Sequence, residues 1–342
     1  MESGQWRARH YGRQVSPDSI SWVYWFWFCV FVVGALAVDL GLLHRHGRET
    51  TYREALGWTG VWVASAMAFG LWVAPNMVSG WTSTDSGLFL TGYLVELSLS
   101  MDNVFVIALI FNYFKVPKAW QHRVLFWGII GALLFRGLMI YGGSELIRRF
   151  HWLLYLMGAF LLVTGVRMLW SSESAEGESV DLSKNWVVRL ARRLLPITSN
   201  FEGERFLVSV GGRRRLTPLA LVLLVVETTD VVFAVDSIPA IFGITQKPFL
   251  IFTSNVFAIL GLRSLYFVLA RAMGYFRYLK AGLALVLVVI GIKMLAEHWL
   301  SQWLGDRLMT VSLSAVIGII GLAVVSSLYV AWTERGRGVS GD

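Results

Sequence analysis

Cysteine is almost missing from this chain, and charge is scarce. Cys29 stands alone, which excludes a disulfide framework, a Cys-x-x-Cys redox pair and a thiolate metal site. Only 15% of the residues are charged, whereas 56% are hydrophobic and 16 are Trp. With a mean hydropathy of +0.60, this is more apolar surface than a soluble core could bury, and the composition belongs to the membrane class. Histidine is placed as sparingly: none of His10, His44, His46, His122, His151 and His298 lies at the centre of an apolar run. The net charge of +8 could suggest a nucleic-acid partner, but Arg and Lys gather in the connections between apolar runs, which membrane topology explains better.

Nine runs are long enough to cross a hydrocarbon layer of about 30 Å. They are Ile20 to Leu43, Leu56 to Val78, Leu88 to Phe111, Val124 to Glu145, Trp152 to Trp170, Leu219 to Phe242, Phe249 to Ala270, Tyr278 to Glu297 and Leu308 to Trp332. The first is too long for the apolar region of a signal peptide and has no small-residue cleavage pattern behind it, so it reads as a retained span. Connections on the side of the C-terminal tail hold more than twice the Arg and Lys of those on the other side. This bias places the N-terminus outside and the C-terminus in the cytoplasm. The long connection on the cytoplasmic side contains an acidic, Ser-rich stretch, then an amphipathic helix from Ser183. A hairpin follows, from Phe206 to Leu216, turning at Gly211-Gly212. It serves as a lid or spacer, or as a docking surface for protein partners.

Three successive spans repeat in register. Asp102-Asn103 falls on Asp236-Ser237, Glu96 on Asp230, Arg136 on Arg263, and Gly165-Val166-Arg167-Met168-Leu169 on Gly291-Ile292-Lys293-Met294-Leu295. With three spans per unit and no span between the units, the two enter the bilayer in opposite directions. Such inverted repeats are typical of secondary transporters, whose sites lie near the midplane. The fold class is therefore all-α and polytopic, with about nine transmembrane helices and an inverted three-helix repeat. Residues 1–87 form a tail and two flanking helices, 88–170 the first repeat and 171–217 the cytoplasmic connection. Residues 218–297 form the second repeat, and 298–342 the last helix and the cytoplasmic tail.

A carboxylate at the bilayer centre costs roughly 2.5–3.5 kcal/mol on insertion scales, yet Glu96, Asp102, Glu227, Asp230 and Asp236 all lie within spans. Acids six residues apart diverge by about 240° on a helix. Gathering Glu96, Asp102, Asn103, Asp230 and Asp236 on one ion therefore predicts that the third and sixth spans are broken, at Pro239 in the second of them. Carboxylates, an amide and hydroxyls are hard donors that suit Mn²⁺, Ca²⁺ or Mg²⁺ rather than copper or zinc. Met101 either adds a sulfur contact that favours manganese or merely packs. Glu227 and Ser237 are placed as auxiliary or proton-relay groups. Arg136 and Arg263 lower the local negative charge, which leaves room for proton-for-metal exchange, or else simply neutralise the acids as buried pairs. Arg167 and Lys293 are expected to snorkel, and Asp39 either caps its helix or marks metal entry.

These residues resemble the Alx/TerC family of integral membrane proteins. The resemblance is carried by Leu90 to Glu96, Ser100-Met101-Asp102-Asn103, Val226-Glu227-Thr228-Thr229-Asp230 through Asp236-Ser237-Ile238-Pro239, and Thr253-Ser254-Asn255 to Arg263. It covers nearly the whole chain. It implies a bacterial inner-membrane protein linked to manganese export, with tellurite resistance and metal supply to secreted proteins as associated roles. Leu97 stands where many members carry a basic residue. The alternative to a transporter is a membrane scaffold or metal-delivery partner. No catalytic signature accompanies the acids, so an enzyme is not expected.

Overall fold

A computed structural model describes residues 20–43, 51–171, 196–198, 201–210, 213–272, 279–305 and 307–338. The expected helix from Ser183, the turn at Gly211-Gly212 and the run His44-Arg45-His46 lie outside the described residues, as does the side chain of Asp39. Helices α1 (Trp22–Leu43), α2 (Tyr52–Met77), α3 (Ser83–Tyr113), α4 (Lys118–Arg149) and α5 (Trp152–Ser171) precede the long connection. Helices α6 (Pro218–Ile244), α7 (Pro248–Ala272), α8 (Leu279–Leu304) and α9 (Arg307–Gly338) follow it. Among the described residues, α2 to α7 and α9 are long and apolar enough to cross a membrane, and α8 carries Lys280, Lys293 and Glu297.

Local chemistry sets where the helices begin. Thr51 with Glu54 and Thr82 with Asp85 form capping boxes at α2 and α3, and Thr217 caps α6 ahead of Pro218. The predicted breaks in α3 and α6 do not occur: both helices run uninterrupted, α6 with Pro239 inside it. Proline removes a single N–H from a helix otherwise held on both sides by packed neighbours, and a membrane interior offers no water to a freed carbonyl, so continuity wins. The hydroxyls expected to satisfy broken backbone instead bond within their own helices, Ser98 to Leu94, Thr228 to Leu224 and Thr229 to Val225.

The irregular turn falls in α2, where Phe69–Val73 widens to a π-helix before Pro75. The Gly70 carbonyl turns outward and accepts the Ser86 hydroxyl at 2.7 Å, while the Phe89 ring fills the space a side chain at position 70 would need.

Packing reproduces the repeat. Equivalent helices meet in pairs (α3 with α6, α4 with α7, α5 with α8), and α3 on α7 has its counterpart in α6 on α4. At the α5–α8 crossing a Cβ on Gly165 would lie 2.8 Å from the Ala284 carbonyl and 2.9 Å from the Val288 nitrogen. A Cβ on Gly291 would lie 2.8 Å from the Gly158 carbonyl and 2.8 Å from the Leu162 nitrogen. These are the same contacts carried from one repeat to the other, and they pair residues in descending order, so equivalent helices run antiparallel. α3 and α6 do likewise: Leu88 and Val95 share a cluster with Ala240 and Ile244, whereas Val104 to Phe111 share one with Leu219 to Val226.

The most enclosed span is α7, with 83% of its apolar window buried. There Thr253, Ser254, Asn255 and Arg263 are shielded from any lipid. Trp22, Trp72, Trp170, Trp299 and Trp303 are exposed near helix ends, where amphipathic rings suit a membrane–water interface. In the long connection, β1 (Leu207–Val210) pairs antiparallel with β2 (Arg213–Leu216), as the hairpin reading expects.

Candidate functional site

Four helices, two from each repeat, bring polar side chains together inside the apolar bundle. Arg136 of α4 is 2% exposed. Its guanidinium forms an ion pair with Glu96 of α3 and reaches Asp230 of α6, with Nη2 at 3.2 Å and Nε at 3.5 Å. Its Nη1 also donates to the Asn255 side-chain oxygen of α7 at 3.0 Å. The Asn255 amide nitrogen is tied to the Ile251 carbonyl of its own helix at 3.0 Å, which turns its oxygen toward the arginine. Asn103 adds a longer contact to Asp230 at 3.5 Å. A planar fork with donors in fixed directions can bind two carboxylates and an amide oxygen at once, with a spread of donors that a compact lysine ammonium lacks. Charges this deep persist only when paired.

The structure thus brings together Glu96, Asn103, Asp230 and Arg136, and adds Asn255. Of the arginine's two sequence readings, the pairing with buried acids is what the geometry displays. Asn255 was within reach of sequence reasoning as an amide in an apolar span falling opposite Gly128 in the repeat, but no ligand role was given to it. Arg263, the repeat counterpart of Arg136, is buried at 4% exposure.

Of the remaining acids, neither Asp236 nor Glu227 forms a hydrogen bond or ion pair with the cluster among the described residues. Asp236 is half-buried and takes part in no hydrogen bond or ion pair among the described residues. Neighbouring Ser237 is buried, with its hydroxyl unpartnered among them. Asp102 lies on α3, but its side chain is outside the described residues. Among the described residues no three His, Cys, Asp or Glu are placed to hold one ion. In continuous helices, six residues at 1.5 Å rise put Asp102 and Asp236 about 9 Å along their axes from Glu96 and Asp230. Because α3 and α6 are antiparallel, those displacements point toward opposite faces. Each therefore comes level with the acid of the other helix, as neighbouring Asn103 does with Asp230. Glu227, half-buried, lies against Gly131 of α4, in the volume a side chain there would take, and its Oε2 has no hydrogen-bond partner among the described residues.

On the face where α3 begins, a cavity of ≈ 880 Å³ opens among α3, α4, α6, α7 and α8. Asp85, Ser144, Glu145, His151, Lys247, Lys293 and Glu297 line it, and Gly137 and Phe252 lie at its edge toward Arg136 and Asn255. Asp85 accepts from Lys247 at 2.7 Å across the two repeats. The Lys293 ammonium donates to the Gly243 carbonyl in the last turn of α6 at 2.9 Å. Met101 packs against the apolar cluster of the opposite face.

Residues 81–335 match the model of the integral membrane protein TerC family. The chain is 45% identical over 305 residues to "Uncharacterized membrane protein STKORF319" of Myxococcus xanthus, covering 89% of this chain and 91% of that protein. It is 44% identical over 320 residues to "Putative membrane-bound redox modulator Alx" of Escherichia coli (strain K12), covering 92% and 97%. A membrane protein of Rickettsia bellii is 40% identical over 277 residues, covering 81% and 89%. No solved structure matches.

Proposed function

The chain belongs to the TerC family of integral membrane proteins, and from that premise we propose that it is a secondary transporter exporting a divalent metal, Mn²⁺ first among the candidates, from the cytoplasm in exchange for protons. The observation that supports this most is the meeting of Glu96 and Asp230, one from each repeat, in the interior of the bundle. An enclosed pair of carboxylates with the amide oxygens of Asn103 and Asn255 is a hard-donor set, suited to Mn²⁺, Mg²⁺ or Ca²⁺ and poorly suited to copper. In this reading Asp102 and Asp236 are stations beside that pair, each level with the acid of the other helix. Glu227 and Ser237 stand beside the path as proton-carrying or assisting groups, and Arg263 adds a second positive charge near the bundle centre. The location is a bacterial inner membrane, with the N-terminus outside.

The test is manganese flux in liposomes holding the purified full chain. Glu96→Gln and Asp230→Asn should each lower flux more than tenfold, an effect of about 1.4 kcal/mol or more, and Asp102→Asn and Asp236→Asn should slow it. Wild-type protein that binds manganese but moves none would favour the second reading, a membrane scaffold or metal-delivery partner. That reading draws on the hairpin, whose Arg214 and Arg215 are exposed, as a docking surface. A redox role of the kind named for the Escherichia coli relative would have to be indirect, since Cys29 alone cannot form an intrachain disulfide.

A further inference from the structure

We propose that Arg136 is a resident substitute for the transported cation: it occupies the acid pair when no metal is bound, must leave when metal enters, and returns to let the empty carrier reset. The proposal rests on the transporter reading above and assigns the regulation of that same site.

The guanidinium engages the oxygens a hard divalent ion would need. Glu96 is ion-paired with it, Asp230 and Asn255 accept from it, and Asn103 reaches Asp230 alongside. A metal ion and the arginine therefore cannot share these ligands, and their like charges add repulsion in a medium where water screens little. Without either cation, two carboxylates from opposite repeats would face each other in the apolar interior, a state that costs far more than either paired one. The arginine removes that penalty from the empty protein. Its side chain arises from α4, which packs on both α6 and α7, so the charge can swing off the acids and still remain within the bundle. A fixed structural ion pair would predict only lost stability on mutation. A displaceable one predicts that metal binding and net transport respond in opposite directions.

The measurement uses the full-length chain in detergent for Mn²⁺ binding, followed by the loss of the free-ion paramagnetic resonance signal, and in liposomes for transport. Arg136→Gln should bind Mn²⁺ at least about tenfold more tightly than wild type, keep Mn²⁺-for-Mn²⁺ exchange, which never needs the metal-free carrier to reorient, and lose net Mn²⁺ flux. Arg136→Lys, which keeps the charge but as a compact point rather than a planar fork, should fall between them in affinity and recover part of the net flux. Equal or weaker binding by Arg136→Gln, or equal loss of exchange and net flux in protein that elutes as a monodisperse species, overturns the proposal and leaves the transporter reading standing. If Arg136→Gln does not fold, Arg136→Lys decides: affinity no higher than wild type refutes displacement. Absence of Mn²⁺ binding in wild type and variants alike removes the transporter reading itself, and this proposal with it.

Discussion

Changing Gly165 to alanine tests the inverted repeat at a close contact between helix backbones. The added Cβ would sit 2.8 Å from the Ala284 carbonyl and 2.9 Å from the Val288 nitrogen, ~0.6 Å inside ordinary van der Waals separation. Both obstacles are backbone, which cannot rotate away, so α5 and α8 must part along their crossing. Overpacking of this kind costs about 1–3 kcal/mol. Gly291→Ala meets the repeat-equivalent atoms at the same 2.8 Å and should cost the same within error. The double variant is the sharper measurement. Once one methyl has separated the helices the second finds space already made, so the two costs should fall short of their sum by about 0.5–3 kcal/mol. Gly318→Ala in α9, where nothing lies within 4 Å, is the control, and on helix propensity it should be neutral or stabilising by up to about 1 kcal/mol. Thermal unfolding in one detergent, with elution profiles to confirm a single species, reads all four. If Gly165→Ala behaves like Gly318→Ala, or if the two interface variants add in full, the contacts do not form one symmetric crossing and the antiparallel pairing argued here fails.

The Asp85 carboxylate serves both the α3 cap and Lys247, and the two roles separate by substitution. Asp85→Asn keeps an oxygen for the Thr82 backbone but loses the ion pair, and because Lys247 is 38% exposed the loss should be about 1 kcal/mol or less. Asp85→Ala removes the cap as well and should cost about 1 kcal/mol more in the same unfolding assay; equal effects would mean that only the charge matters. At Gly131 an alanine methyl would take the volume of the Glu227 carboxylate. That carboxylate is the far end of a flexible side chain, so stability should change by less than about 1 kcal/mol. Net manganese flux should nonetheless fall about tenfold, equivalent to 1.4 kcal/mol, if Glu227 assists transport. Undiminished flux takes Glu227 out of the path.

What the sequence made legible was whatever depends on order along the chain. Apolar length marked the helices, the Arg/Lys register and the Gly-x-basic-Met-Leu repeat paired α3–α5 with α6–α8, and alternation around Gly211-Gly212 drew the hairpin. Acids in apolar runs pointed to the buried cluster. Its membership was less legible, because it depends on the angle and height at which separate helices meet. Spacing alone permits five oxygens on one ion if helices break, and Pro239 suggested that they would. The packed bundle instead keeps α6 continuous, and the antiparallel crossing sets Asp102 and Asp236 each level with the acid of the other helix. The repeat gives Asn255 no ligand role, because its partner there is Gly128 and the register carries no polar match. The π turn of α2 was hidden for another reason: it depends on Phe89 and Ser86 arriving from α3 to fill and bond what the turn opens.

The repeat also explains why the two faces of the cluster differ. The register that aligns Asp102 with Asp236 sets Asp85 opposite Leu219, and the register that aligns Arg136 with Arg263 sets Lys247 opposite Trp120. One face therefore closes on an ion pair beside a cavity of ≈ 880 Å³ whose edge at Gly137 and Phe252 is one residue and one turn from Arg136 and Asn255. The other closes on apolar packing, Val104 to Phe111 against Leu219 to Val226, about two helical turns thick and hostile to any hydrated ion. The long connection is fastened to this second face. Phe201 and Phe206 pack on that cluster, Arg123 lies 5.2 Å over the Phe206 ring, and Thr217 at the start of α6 donates to the Arg205 carbonyl at 2.7 Å. For a cation to pass that face, the start of α6 must separate from the end of α3, and the hairpin segment is bonded to the end that has to move.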